Sequence, residues 1–217
     1  MAKKTRKKVG KRGKMKEVKE ELPKKEQATN QNKILRNFFI GMAILVVLIV
    51  SIVYIIQYTK KFEYRGVDFK IVKSGNLVFY NTKIPVVVDG KNAEYNFYLR
   101  SDPRKLEEEV SFNGDLDLAQ NLVLNSTEDF NCDGFGVIAT ANLVNLYKVS
   151  GINVIKDQNA TCDSEGRYAF INLQKGSETR IDKVGPACYN VNISNCEILE
   201  ATERLMLESF IEINKLM

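Results

Sequence analysis

Nineteen consecutive residues, Phe38 to Ile56, carry no charge, and no other feature of the chain restricts its fold as strongly. At about 1.5 Å of rise per residue the run covers about 28 Å, close to the roughly 30 Å hydrocarbon thickness of a bilayer. In lipid an isolated segment satisfies its own backbone hydrogen bonds only as a helix, so its many β-branched residues do not make it a strand. Ile34, Leu35 and Tyr58 extend it at the margins, which predicts a transmembrane helix over residues 34–58.

The charges divide at this helix. Residues 1–36 hold fourteen Lys and Arg against four Glu, a net of +10, while residues 57–217 hold eighteen against twenty-three Asp and Glu, a net of −5. Short basic flanks stay on the cytoplasmic side, so the expected arrangement is a basic cytoplasmic tail and an outer C-terminal domain, in the cytoplasmic membrane. A cleaved signal peptide fits less well. The basic region is too long, the apolar run exceeds the usual 7–15 residues, and Gln57-Tyr58-Thr59-Lys60 is no small-residue cleavage site. The segment therefore reads as a signal anchor. Residues 1–33 read as a disordered tail, Lys-rich and nearly free of apolar residues, suited to anionic lipid headgroups. Without interleaved aromatics or a folded motif, nucleic acid is not the expected partner.

All four cysteines, Cys132, Cys162, Cys188 and Cys196, fall after the helix, as expected for disulfides in an extracytoplasmic domain. So do the sequons at Asn125, Asn159 and Asn192, although about two such triplets are expected by chance at this composition. The Asn, Lys and Ile bias fits a prokaryotic cell-surface protein. Histidine is absent, which removes Ser-His-Asp and Cys-His catalysis and any His-containing zinc site.

Residues 62–217 read as one mixed α/β (α+β) domain. Val67 to Lys73 alternates as a strand; Leu77–Tyr80 and Ile84–Val88 follow, with Pro85 arguing for an edge or entry position. Asp89-Gly90-Lys91-Asn92 joins Val86–Val88 to Ala93–Leu99 as a hairpin. Asp102 then caps a short helix with Pro103 at its first position. Leu118–Leu124, a helix over Gly134–Val149 and Ile152–Ile155 predict a βαβ unit with its helix buried over most of its surface. Tyr168–Leu173 and Thr179–Val184 read as a hairpin, and Ala187–Ile193 as a further strand. Ser194-Asn195-Cys196-Glu197 has the capping-box form before a closing helix to about Asn214. That helix shows an apolar face of Ile198, Leu199, Thr202, Leu205, Met206, Phe210 and Ile213, and a wet face of Glu200, Glu203, Arg204, Glu208 and Glu212, with Glu200 and Arg204 as an i,i+4 pair.

Ligands of open α/β sheets bind beyond the carboxyl ends of parallel strands. That position belongs to Ser126, Thr127, Glu128, Asp129 and Asp133, with Cys132 before the helix, where a helix dipole lowers a thiol pKa. A Cys132–Cys162 bridge is the first expectation; Cys162–Cys188 with Cys132–Cys196 is the reserve pairing. Asp157, Asn159 and Asp163 begin like a calcium loop, but Cys162 stands where the turn demands Gly and Tyr168 where a bidentate Glu belongs, so no metal and no cofactor is expected. Arg100, Arg104 and Arg180 are candidates for anion recognition, with a solvated surface as the ordinary alternative. The reading is a non-enzymatic, membrane-anchored domain that binds an extracytoplasmic protein or envelope component. Its alternatives are a thiol-disulfide oxidoreductase using Cys132 and an accessory subunit of a membrane or secretion assembly.

Overall fold

A computed structural model of the chain describes residues 24–88 and 90–216. Most of the basic tail and its expected disorder, residues 1–23, lie outside them. The first helix, α1, runs Lys24–Tyr58, beginning ten residues before Ile34. Its Asn32–Ile56 stretch is exposed throughout and is long and apolar enough to cross a membrane.

The remainder, from Ile55 onward, is one compact unit. Strands β1 (Lys61–Tyr64), β2 (Val67–Ser74), β3 (Leu77–Val88) and β4 (Lys91–Leu99) form an antiparallel meander in chain order. The two expected strands either side of residue 82 are one. Pro85 lies in the half of β3 that extends past β2 and pairs only with β4, so the ladder loses no bond to its missing N–H. Helix α2 (Pro103–Glu109) starts as expected, with the Asp102 carboxylate accepting from the Arg104 N–H.

The second sheet has the order β5-β9-β10-β8-β6-β7. Its strands are β5 (Ser111–Asn113), β6 (Asn121–Ser126), β7 (Asn153–Ile155), β8 (Ala169–Lys175), β9 (Arg180–Gly185) and β10 (Cys188–Ile193). A 3₁₀ turn at Cys132–Gly134 leads into α3 (Phe135–Val149), which connects β6 to its parallel neighbour β7, and α4 (Ile198–Leu216) closes the chain. The expected hairpin of Tyr168–Leu173 with Thr179–Val184 does not form. Strand β10 inserts between β8 and β9, parallel to the first and antiparallel to the second. Cys-Tyr-Asn-Val-Asn-Ile carries two asparagines, yet five of its six residues are buried. Its polar side is satisfied within the sheet: the Asn192 amide donates to Asp182 at 2.8 Å and accepts from Gln174 at 2.9 Å. A strand buried on both faces takes the centre.

Helix α4 departs furthest from its pattern. It touches β2 of the first sheet, β9 and β10 of the second, and both α2 and α3. Phe210 packs on Phe97 at 5.5 Å between ring centroids, and Ser209 bonds Tyr147 of α3 at 2.9 Å. Its expected wet face is therefore largely internal: Glu203, Arg204 and Glu208 are all buried. Arg204 pairs with Glu208 at 2.5 Å, not with Glu200, and donates to the Val110 carbonyl at 3.1 Å. Arg65 reaches Glu208 at 2.6 Å and also binds Glu107, closing a cluster of two arginines and two glutamates. The capping box at Ser194 is replaced by a relay. Thr179 accepts from the Ser194 N–H at 3.0 Å and donates to the Glu197 carboxylate at 2.5 Å.

Candidate functional site

Helix α3 is apolar on nearly every side, and its burial follows only one stripe. Gly136, Ala139, Leu143, Leu146 and Tyr147 are buried. Phe135, Val137 and Ile138 are exposed, at 41%, 68% and 38%, which corrects the expectation of a helix buried over most of its surface. Its flanks instead wall two separate concavities.

The larger, about 620 Å³, lies where the carboxyl ends of the parallel strands β6 and β8 meet the flank formed by Val137, Thr140, Ala141 and Val144. Leu173 of β8 and Ile198 of α4 line it further, and Phe130 contributes from the loop. The loop expected there supplies the rim, with Ser126, Glu128 and Asp129 lining it. Thr127 points its role elsewhere, donating its N–H to the Leu173 carbonyl at 3.0 Å and tying the loop to β8. Asp133 is exposed in the 3₁₀ turn and is not part of the lining. The rim lies very close to the helix: a Cβ on Gly136 would stand 1.6 Å from the Phe130 carbonyl oxygen, so no side chain fits at that position without moving the loop. The arrangement offers an apolar trough with a carboxylate rim, chemistry suited to seating apolar side chains next to cations.

Two disulfides staple the second sheet, and one of them fastens the trough. Cys132 is bonded to Cys196 and Cys162 to Cys188, with Cα–Cα distances of 5.6 and 5.7 Å. The first-expected Cys132–Cys162 bridge is thus replaced by the reserve pairing. Cys188 opens the central strand β10, and Cys162 sits over its start, close to Gly185. The Cys132–Cys196 bridge fastens the end of the rim loop to the approach to α4. Both half-cystines have left-handed backbones, φ 44° and 61°, as do Asp133 and Asn195 beside them. Non-glycine residues hold such conformations where the surrounding structure over-determines them. Cys132 therefore presents no thiol at the start of α3.

Other sequence candidates are occupied. The Asp163 carboxylate is clamped by Arg167 through two side-chain bonds of 3.0 and 2.8 Å and a backbone bond of 2.7 Å, and these hold its pKa down to about 2. Asp157 accepts from the Asn159 N–H at 2.9 Å, an ordinary Asx turn. Among the described residues no group of three His, Cys, Asp or Glu side chains could hold a metal ion. Asn192 is 9% exposed in the central strand with its amide engaged, so no glycosyl donor reaches it in the folded domain; Asn125 lines the trough and Asn159 is exposed. Arg104 is clamped on Asp102 and Arg180 on Asp182 and Glu178. The Arg100 guanidinium instead lies 5.3 Å over the Phe135 ring.

What the sequence pattern hid is the apolar half of the trough. The visible signal was the excess of apolar positions on α3 beyond the single stripe that one core requires. No protein-family model, curated protein or solved structure matches the chain, so the functional reading rests on this geometry.

Proposed function

We propose that the chain is a single-pass membrane protein whose basic tail remains cytoplasmic and whose mixed α/β domain works outside the cytoplasmic membrane as a non-enzymatic binding module. The observation that carries the reading is the solvent-facing apolar flank of α3 beside a carboxylate rim. Apolar surface left open on an otherwise packed domain marks a place where a partner sits. The partner is an extracytoplasmic protein segment with apolar anchors flanked by Lys or Arg, complementary to Glu128 and Asp129 and to the net charge of −5 over residues 57–217. The charge difference across α1 and the restriction of all cysteines to one side of it support the orientation. The basic tail adds contact with anionic headgroups at the inner surface.

The test places a photo-crosslinking residue at Val137 of the full-length protein in its own cells, with a second at Lys73, exposed on β2 of the other sheet, as control. A discrete protein adduct at Val137, absent at Lys73 and abolished by Ala141→Asp, supports the reading if the captured segment is basic and apolar. No adduct, or one indifferent to Ala141→Asp, overturns it. Protease added outside the cells, after removal of any outer membrane, must digest the domain; digestion only after lysis reverses the orientation.

A further inference from the structure

The opposite flank of α3 walls a smaller cavity of about 310 Å³, distinct from the trough. It opens along the outer edge of β4, the last strand of the first sheet. Its apolar walls are aromatic. Tyr95 and Tyr98 are exposed at 41% and 48%; Phe79 meets Tyr98 edge-on at 6.2 Å and Tyr95 lies 4.8 Å from Phe97.

The polar groups facing these rings are neutral amides. Asn142 and Asn145 stand with Ile138 on one side of α3, and Asn96 lines the cavity from β4. Every buried side-chain nitrogen and oxygen among the described residues has a hydrogen-bond partner. The side-chain amides of Asn142 and Asn145 and the hydroxyls of Tyr95 and Tyr98, all on residues lining the cavity, make no hydrogen bond to another described residue. Asn96 accepts from Asn81 at 3.3 Å, which leaves its amide hydrogens free.

The charged groups of the cavity are already committed. The Glu203 carboxylate accepts the N–H groups of Arg100 and Ser101 at 2.7 and 2.8 Å, and the Arg100 guanidinium stacks on Phe135. A free cation finds no open carboxylate there, and a phosphate finds no cluster of donors. What remains is a set of ring faces for a flat apolar surface, with donors and acceptors set around it for a neutral ligand rich in hydroxyls. The volume lies at the lower end of small-molecule sites and suits one ring.

We infer that this cavity binds a single pyranose unit, one C–H face stacked on Tyr98 and its hydroxyl or amide substituents bonded by Asn96, Asn142 and Asn145. The site does not depend on the trough or on the membrane placement. Its ligand class is a neutral sugar, free or as a residue of a glycan. Amide side chains both donate and accept, as a hydroxyl requires, and exposed tyrosine rings supply a large rigid contact at small entropic cost.

The test uses the full-length protein in nanodiscs, since sugar-headed detergents would compete. Saturation-transfer NMR is recorded with D-glucose, D-galactose, D-mannose and N-acetyl-D-glucosamine at millimolar concentration, with adenosine as a flat non-sugar control. Saturable binding of at least one sugar, weakened by about tenfold or more in both Tyr98→Ala and Asn142→Ala, is the expected result. Both positions are partly solvated, so their thermal midpoints should stay near that of the parent, and Val137→Asp in the trough should leave sugar binding unchanged. Failure of all four sugars to bind, binding that survives both substitutions, or tighter binding of adenosine overturns the assignment.

Discussion

Glu203 is the carboxylic acid whose chemistry the fold alters most. It is buried against the end of β4, where loss of water outweighs the two backbone N–H groups that bond its carboxylate, and nearby Glu200 adds to the same effect. Its pKa rises from the ordinary 4.5 to about 7. An acid raised in the fold stays protonated there after the unfolded chain has ionised, so the folded state binds more protons between about 4.5 and 7. Its contribution to stability falls as pH rises through that window and is level above it. Asp163, Asp182, Asp102 and Glu107 are held below the ordinary carboxylate range by hydrogen bonds from partners that include Arg167, Asn113, Arg104 and Tyr64. They act in the opposite sense, losing stability as pH falls into the acid range. Thermal unfolding followed by circular dichroism should give a lower midpoint near neutral pH than near pH 5, and Glu203→Gln should flatten that difference. Equal pH slopes for the two proteins would remove Glu203 from the account.

Among the elements, α4 shows how a surface pattern becomes an interior one. Charges spaced along one side of a helix normally mark the wet face, and nothing local distinguishes Arg204 and Glu208 from such a pair. What internalises them is distant in sequence: Arg65 from the β1–β2 turn and Glu107 from α2 complete their charge and hydrogen bonding. Arg204→Met takes one of two cations from Glu208, leaves Arg65 on it, and removes the donor to the Val110 carbonyl, so it should destabilise the domain by about 1–3 kcal/mol. Arg204→Met with Glu208→Leu leaves Arg65 paired with Glu107 and should lose less than the two single changes summed, as measured by chemical denaturation. A double variant that loses the sum of the two singles would show that the pair is uncoupled. The same locality explains what could be read in advance. Strand β2, the β3–β4 hairpin, capped α2 and the β6–α3–β7 unit are each announced by alternation, a turn or a cap within a dozen residues. Strands β1 and β5 are four and three residues long and exist because a neighbouring strand pairs with them, so composition does not mark them. The β10 insertion and the exposed α3 flanks depend on what lies across the sheet. Accordingly the polar rim of the trough was legible at residues 126–129, and its apolar wall was not.

At the scale of the whole molecule, the bridges tie the fold to its compartment. Cys132–Cys196 spans 64 residues and Cys162–Cys188 spans 26. In the chain-entropy picture loops of these sizes restrict the unfolded state enough to contribute about 4 kcal/mol each. Together that is comparable to the whole stability of a typical domain, about 5–15 kcal/mol. On the reducing side of a membrane the same sequence would lose much of its margin, and the rim of the trough would lose its attachment to the approach to α4. The orientation proposed from the charges of the tail therefore makes a chemical prediction about the other end of the chain. Cells alkylated before lysis, with the protein then digested without reductant and mapped by mass spectrometry, should yield the peptide pairs 132–196 and 162–188 and no alkylated cysteine. Exchange of both residues of either bridge for serine should lower stability by about 2–5 kcal/mol. Four alkylated cysteines would place the domain in a reducing compartment and overturn the orientation. A Cys132–Cys162 peptide would instead refute the connectivity that joins the trough to α4.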